Sequence, residues 1–332
     1  MTMLNRTKTV LTLAAVAMAT LAFTGSSAQA TIITGTAGGP NGSHDTWNNA
    51  ANWDAGVPSG AVDAVVGAGV TAQVWNPATP AYTGSLTLNA NSTLQMGWTT
   101  NYPENLNAIG GSDITMNDGT EIRLRLPFAV ALPAITLAGD ARIDLSPSTS
   151  AHHQTRNFDG AITGPGALTL IGNNNNTAKL NVANSFSGGL IADAVDSWRV
   201  DATVTGAFGT GDVTINGRPA VPARGATLII NAANTIDDLA TLFLNDGKDH
   251  RKNAKLILNA GDEIVGAFVV DGVDLGIGTW DANSGLTNPN GDPLISGNGS
   301  ITVANVIPEP STLLLAALGL LGLMGIRRRR NR

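Results

Sequence analysis

Few residues of this chain are of types that do chemistry, and their spacing mostly works against it. The histidines are His44, His152, His153 and His250. His152-His153 are adjacent, without the spacing that sets two imidazoles on one side of a metal, and no cysteine is present to complete a ligand set. Asp237-Asp238 could echo the paired carboxylates of β-helical polysaccharide hydrolases, but reads better as a turn or a strand end. Glu104, Glu121 and Glu263 are the only glutamates between residues 31 and 306. Ser85 and Ser146 lack the Gly-x-Ser-x-Gly setting of an activated serine. Asp113, Asp118, Asp140, Asp144 and Asp292 are loop carboxylates of a kind that takes calcium, yet none belongs to an EF-hand or a Gly-Gly-x-Gly-x-Asp array. No catalytic residue, metal or cofactor is therefore expected, and the chain is read as a non-enzyme. Binding chemistry is better represented. Trp47, Trp53, Trp75 and Trp98, with Tyr102, crowd one region, where flat ring faces would suit stacking on sugars. The competing reading packs them as a cap over one end of the fold. Asn173 to Asn176 reads as a loop or a stacked amide ladder.

The elements that must position these residues are short strands. Gly accounts for 39 of 332 residues and charged residues for 13%. Runs of alternating apolar and polar residues are separated by Asn, Gly and Asp. Leu86 and Leu94, Ile114 and Ile122, and Ile135 and Ile143 repeat the same eight-residue offset. A turn lies inside each pair, as at Asn117-Asp118-Gly119. Each alternation has period two, so one face of each strand is apolar. The looser beats are Leu168/Leu170, Leu180/Val182, Val213/Ile215, Leu228/Ile230 and Leu256/Leu258. Such a pair cannot bury its apolar face alone, but stacking one unit on the next does. The spacing therefore predicts an all-β parallel β-helix, with repeats over residues 60–260 and a closing segment at 261–305. A β-sandwich is the alternative.

Both ends read as addresses. Arg6 and Lys8, an apolar run over residues 10–23 and Ala28-Gln29-Ala30 form a signal peptide over residues 1–30, cut after Ala30. At the other end, residues 307–332 begin a polar motif, Pro308-Glu309-Pro310, held extended by its prolines. An uncharged stretch over residues 311–326 follows, 16 residues long, just under the roughly 17–25 of a full membrane span. Arg327, Arg328, Arg329 and Arg330 then hold the end on the cytoplasmic face. Without these segments the body, residues 31–306, carries 12 basic and 24 acidic side chains. That balance argues against nucleic acid and against direct binding to anionic lipid. An exported body without cysteine must also hold itself together without disulfides.

The three-part tail resembles the PEP-CTERM sorting signal of Gram-negative bacteria. The resemblance implies export, a transient stay in the inner membrane, processing by the transpeptidase exosortase, and an association with exopolysaccharide and biofilm systems. The body resembles the autotransporter-associated β-strand repeat at residues 157–170, at Asn184-Ser185-Phe186-Ser187-Gly188-Gly189-Leu190 and at residues 208–215. Trp47 and Asn52-Trp53 resemble its opening segment, and residues 262–280 its closing one. The fold this implies is a right-handed parallel β-helix, and the role that of a surface or matrix protein. No translocating barrel follows, so self-transport is not implied. The expected protein is an exported structural or adhesive one, with exosortase, the inner membrane and exopolysaccharide as partners. The alternatives are a polysaccharide-active enzyme on a β-helix and a carbohydrate-binding module.

Overall fold

The computed structural model describes residues 30–35, 46–74, 84–97, 113–125, 130–146, 153–217, 225–245, 254–288 and 291–304. Within them the chain winds as a parallel β-helix built on three sheets. The first holds Thr31–Ile33, Ala64–Val66, Leu86–Leu88, Ile114–Met116, Ile135–Leu137 and Ile162–Thr163, side by side in that order. The second runs from Thr71–Val74 through Thr93–Met96, Thr120–Leu124, Ala141–Asp144, Leu168–Gly172, Leu190–Ala194, Val213–Asn216 and Thr241–Asn245 to Ala267–Val270. The third runs from Val130–Leu132 through Thr155–Phe158, Thr177–Leu180, Trp198–Ala202, Ala226–Ile230 and Lys255–Leu258 to Ile295–Gly297. The only helical element among the described residues is a 3-10 turn at Ala50–Asn52.

The eight-residue offset is the step from the first sheet to the second within one coil. Leu86 pairs in parallel with Ile114, and Ile114 with Ile135. In the second sheet Leu94 pairs with Ile122, Ile122 with Ile143, and Ile143 with Leu170. Every strand pair across this stretch is parallel, which rules out the sandwich. Parallel pairing also reaches beyond residues 60–260, from Thr31↔Ala64 at one end to Asp262↔Ser300 at the other. Period-two alternation places each column of Leu, Ile, Val and Phe inside, and residues such as Leu94, Ile122, Ile143 and Leu170 are wholly buried. The core is thus a stack of like side chains, one per coil, about 4.8 Å apart.

Corners explain the abundance of Asn and Gly. Asn181, Thr203, Asn231 and Asn259 leave the third sheet at equivalent places, each donating its backbone N–H to the preceding coil. Thr203 Oγ1 donates to Asn181 Oδ1 at 3.2 Å, and Asn259 Nδ2 to Asn231 Oδ1 at 2.8 Å. An amide both donates and accepts, so stacked copies satisfy one another along the axis. At the corner between the first and second sheets the backbones of successive coils nearly touch. A Cβ at Gly166 would fall on the carbonyl of Gly139.

Both ends of the stack are closed by chain running across the parallel strands. At the end, Val273–Asp274 pairs antiparallel with Ala267–Val270. Gly278–Trp280 pairs antiparallel with Ser300–Val303, whose other edge pairs in parallel with Asp262–Val265. Trp280 packs edge-on to Phe268, with ring centroids 5.9 Å apart. The short antiparallel strand Val273–Asp274 covers the edge of Ala267–Val270 that would otherwise be open to another chain.

Candidate functional site

The tryptophan cluster divides into residues that the structure describes and residues that it does not. Trp75 and Trp98 lie outside the described residues. Trp47 is fully buried and Trp53 is 6% exposed. Their rings meet edge to face at 4.9 Å, and Trp53 Nε1 donates to the Trp47 carbonyl at 2.6 Å. The segment that carries them seals the first coil. Trp47 N–H donates to the Gln73 carbonyl, and Gln73 N–H donates to Thr46 Oγ1, both on the outer edge of Thr71–Val74. Trp53 bridges Ile33 in antiparallel fashion, and Ile32 N–H donates to Asp54 Oδ1 at 2.8 Å. Trp47 and Trp53 therefore offer no ring face to a sugar. This corrects the platform reading for both residues: an indole that plugs the open end of an apolar core gains more by burial than by exposure.

Several of the polar candidates are occupied by structural work. Asp237 Oδ1 accepts the Leu239 N–H at 2.9 Å, the local turn expected of an aspartate there. Asp140 Oδ1 accepts the Ala167 N–H at 2.9 Å in the next coil. Asp292 Oδ2 accepts from Asn288 Nδ2 at 3.3 Å. Asn174 and Asn175 adopt left-handed backbone in a loop, while Asn176 is buried with its Oδ1 accepting from Gln154 N–H. Among the described residues no group of three or more His, Cys, Asp or Glu is placed to hold a metal ion.

Three features were not singled out from the sequence. Glu121, Arg123, Arg125, Arg142 and Asp144 form an ion-pair network on the outer face of the second sheet. Arg123 Nη2 lies 2.6 Å from Glu121, Arg142 Nε 3.3 Å from Glu121, and Arg125 Nη2 3.0 Å from Asp144. The Glu121 carboxylate holds the Arg123 guanidinium above its usual range. Arg156 points inward in the column below Val200 and Leu228, and burial lowers its guanidinium to about 10. Glu263 is also inward and wholly buried. Its carboxylate accepts the N–H groups of Thr235 at 3.0 Å and Ile236 at 3.1 Å, yet burial outweighs those bonds and raises its pKa. The signal for both buried charges is the alternation itself: Arg156 is in phase with Phe158, and Glu263 with Val265.

The remaining candidate is the terminal segment. Ser300–Val303 is the last strand of the body, with Ile301 and Val303 buried. The sorting residues Pro308, Glu309 and Pro310, the apolar stretch at 313–326 and Arg327 to Arg330 lie outside the described residues, as does Ala28. Ala30 is half-buried immediately before the first strand. No helix among the described residues is long and apolar enough to cross a membrane. No curated protein and no solved structure matches the chain. Residues 306–330 match the PEP-CTERM protein-sorting motif, which indicates an exported, exosortase-targeted protein with a membrane-associated sorting step in a Gram-negative bacterium.

Proposed function

We propose that this chain is a structural or adhesive protein of the cell surface or extracellular matrix, released from a transient membrane stay by exosortase, and without catalytic activity. The observation that carries the reading is the join between the two parts. Among the described residues the last strand of the β-helix ends at Val303, and the sorting motif begins at residue 306. A self-contained body with a processing signal attached directly to it suits a protein whose task is to be placed, not to turn over a substrate. The occupied carboxylates support the non-enzymatic reading: Asp237 caps a turn and Glu263 holds backbone N–H groups. The likeness of the body to autotransporter-associated repeats favours a matrix role, with exopolysaccharide as the surrounding partner.

Mass spectrometry of protein from cells tests the reading. The expected N-terminus is Thr31, and the expected C-terminus lacks residues 327–332. Both ends intact on exported protein, or an unchanged product in cells without exosortase, would reject it.

A further inference from the structure

The large apolar side chains left exposed among the described residues are unevenly placed. They are Val195, Leu239, Ile264, Val273 and Ile277. Four of the five belong to the last two coils, and Val273 and Ile277 are 59% and 70% exposed. Val273 lies on Val273–Asp274, the outermost strand of the second sheet. Ile264 and Ile277 flank the exit of the chain. Ile264 lies on Asp262–Val265, which pairs with one edge of Ser300–Val303. Ile277 directly precedes Gly278–Trp280, which pairs with the other edge and sets Gly278 opposite Val303. The last described strand therefore ends between two exposed isoleucines.

Chain length then limits where this end can be. Seven residues separate Val303 from Ser311, where the uncharged stretch begins. Fully extended, they span about 25 Å at most, at roughly 3.5 Å per residue. The axis of the β-helix, by contrast, carries the second coil about 34 Å from the last, at about 4.8 Å per strand over seven steps. While the sorting segment is in the membrane, the closing coil is tethered within that reach of the bilayer, a limit that the chain does not place on the opening coils. Residues that are costly in bulk water then find an apolar neighbour at the lipid interface.

We infer that the closing end of the β-helix, through Val273, Ile277, Ile264 and Leu239, is a membrane-contacting surface that rests on the lipid interface before cleavage. The inference rests on the sorting reading above. The charge of this end sets the lipid class. Asp262, Asp271, Asp274, Asp281 and Asp292 lie in residues 254–304, where Lys255 is the only basic side chain among the described residues. Negative headgroups are repelled, so zwitterionic lipid is the partner.

The absence of cysteine makes the test direct, because one introduced thiol carries the only label. Full-length Ala282→Cys and Ala90→Cys proteins, both exposed positions, are labelled with an environment-sensitive dye and reconstituted into phosphatidylcholine vesicles containing a spin-labelled quencher lipid. Strong quenching is expected at residue 282 and little at residue 90. Adding Val273→Asp with Ile277→Asp should reduce quenching at residue 282 at least several-fold, while vesicle co-flotation persists. Replacing part of the lipid with phosphatidylglycerol should also reduce it. Co-flotation with no quenching difference between residues 282 and 90 would overturn this inference and leave the sorting reading standing. Failure of the full-length protein to co-float at all would overturn both.

Discussion

Replacing Ile143 by Ala removes three buried carbons from the centre of the stack. Ile143 is fully buried and pairs with Ile122 on one side and Leu170 on the other, both also fully buried. At about 0.8 kcal/mol per buried methylene, the transfer loss alone is about 2.4 kcal/mol. A cavity term adds to it, because backbone hydrogen bonds to both neighbouring strands resist collapse into the gap, and the total belongs near 3–4 kcal/mol. Ile143→Asp and Leu124→Asp should cost more, since each places a carboxylate where the column offers neither partner nor water. In a stacked architecture the damage should be local to adjoining coils before it is global. Urea unfolding followed by circular dichroism gives the total, and hydrogen exchange resolved by peptide gives the location. Loss of protection should centre on residues 120–172 and fade toward Ile230. Thr136→Ala, on the outward side of the first sheet, should stay within about 0.5 kcal/mol of the parent. Ile143→Ala matching Thr136→Ala, or uniform loss of protection along the chain, would refute the stacked-column reasoning.

Glu263 should make stability depend on pH. Its folded pKa is raised above the ordinary value of 4.5, so its contribution is fully present below about 4.5 and is lost as pH rises through the folded value. Glu263→Gln should therefore gain on the parent as pH rises above 4.5, and parallel stability–pH curves for the two proteins would refute this. Gly166→Ala must push the Gly139 backbone aside. It should cost several kcal/mol in thermal or urea unfolding, and a neutral result would mean that the coils are spaced more widely at that corner. Trp53→Ala should remove the plug at the opening end. Light scattering should then show end-to-end association through the uncovered edge of Thr31–Ile33, whereas a stable monomer would show that Trp53 is dispensable to the cap.

The character of the fold was legible in the sequence because its signal is local and repeated. Leu86/Leu94, Ile114/Ile122 and Ile135/Ile143 carry both the strand period and the step between sheets, and neither needs knowledge of distant contacts. The sorting residues were legible for the same reason: Pro308-Glu309-Pro310, an uncharged run and four arginines are contiguous. Where side chains of the same type separate into different roles, local pattern is silent. Trp47 and Trp53 could have been a platform or a plug, and only the meeting of residues 46–54 with the outer edges of Thr31–Ile33 and Thr71–Val74 decides for the plug. The alternation puts Arg156 in phase with Phe158 and Glu263 with Val265, but their charge argues against an inward place. The conflict is resolved for Glu263 by backbone N–H groups from Thr235 and Ile236, 28 and 27 residues away along the chain. Sequence by itself determined the period, the charge and the sorting motif of this protein, which are properties of neighbouring residues. Tertiary structure decided which residues meet across coils, because register between strands is set by the packing of whole columns, and a side chain's partner is chosen only when its coil is laid on the next.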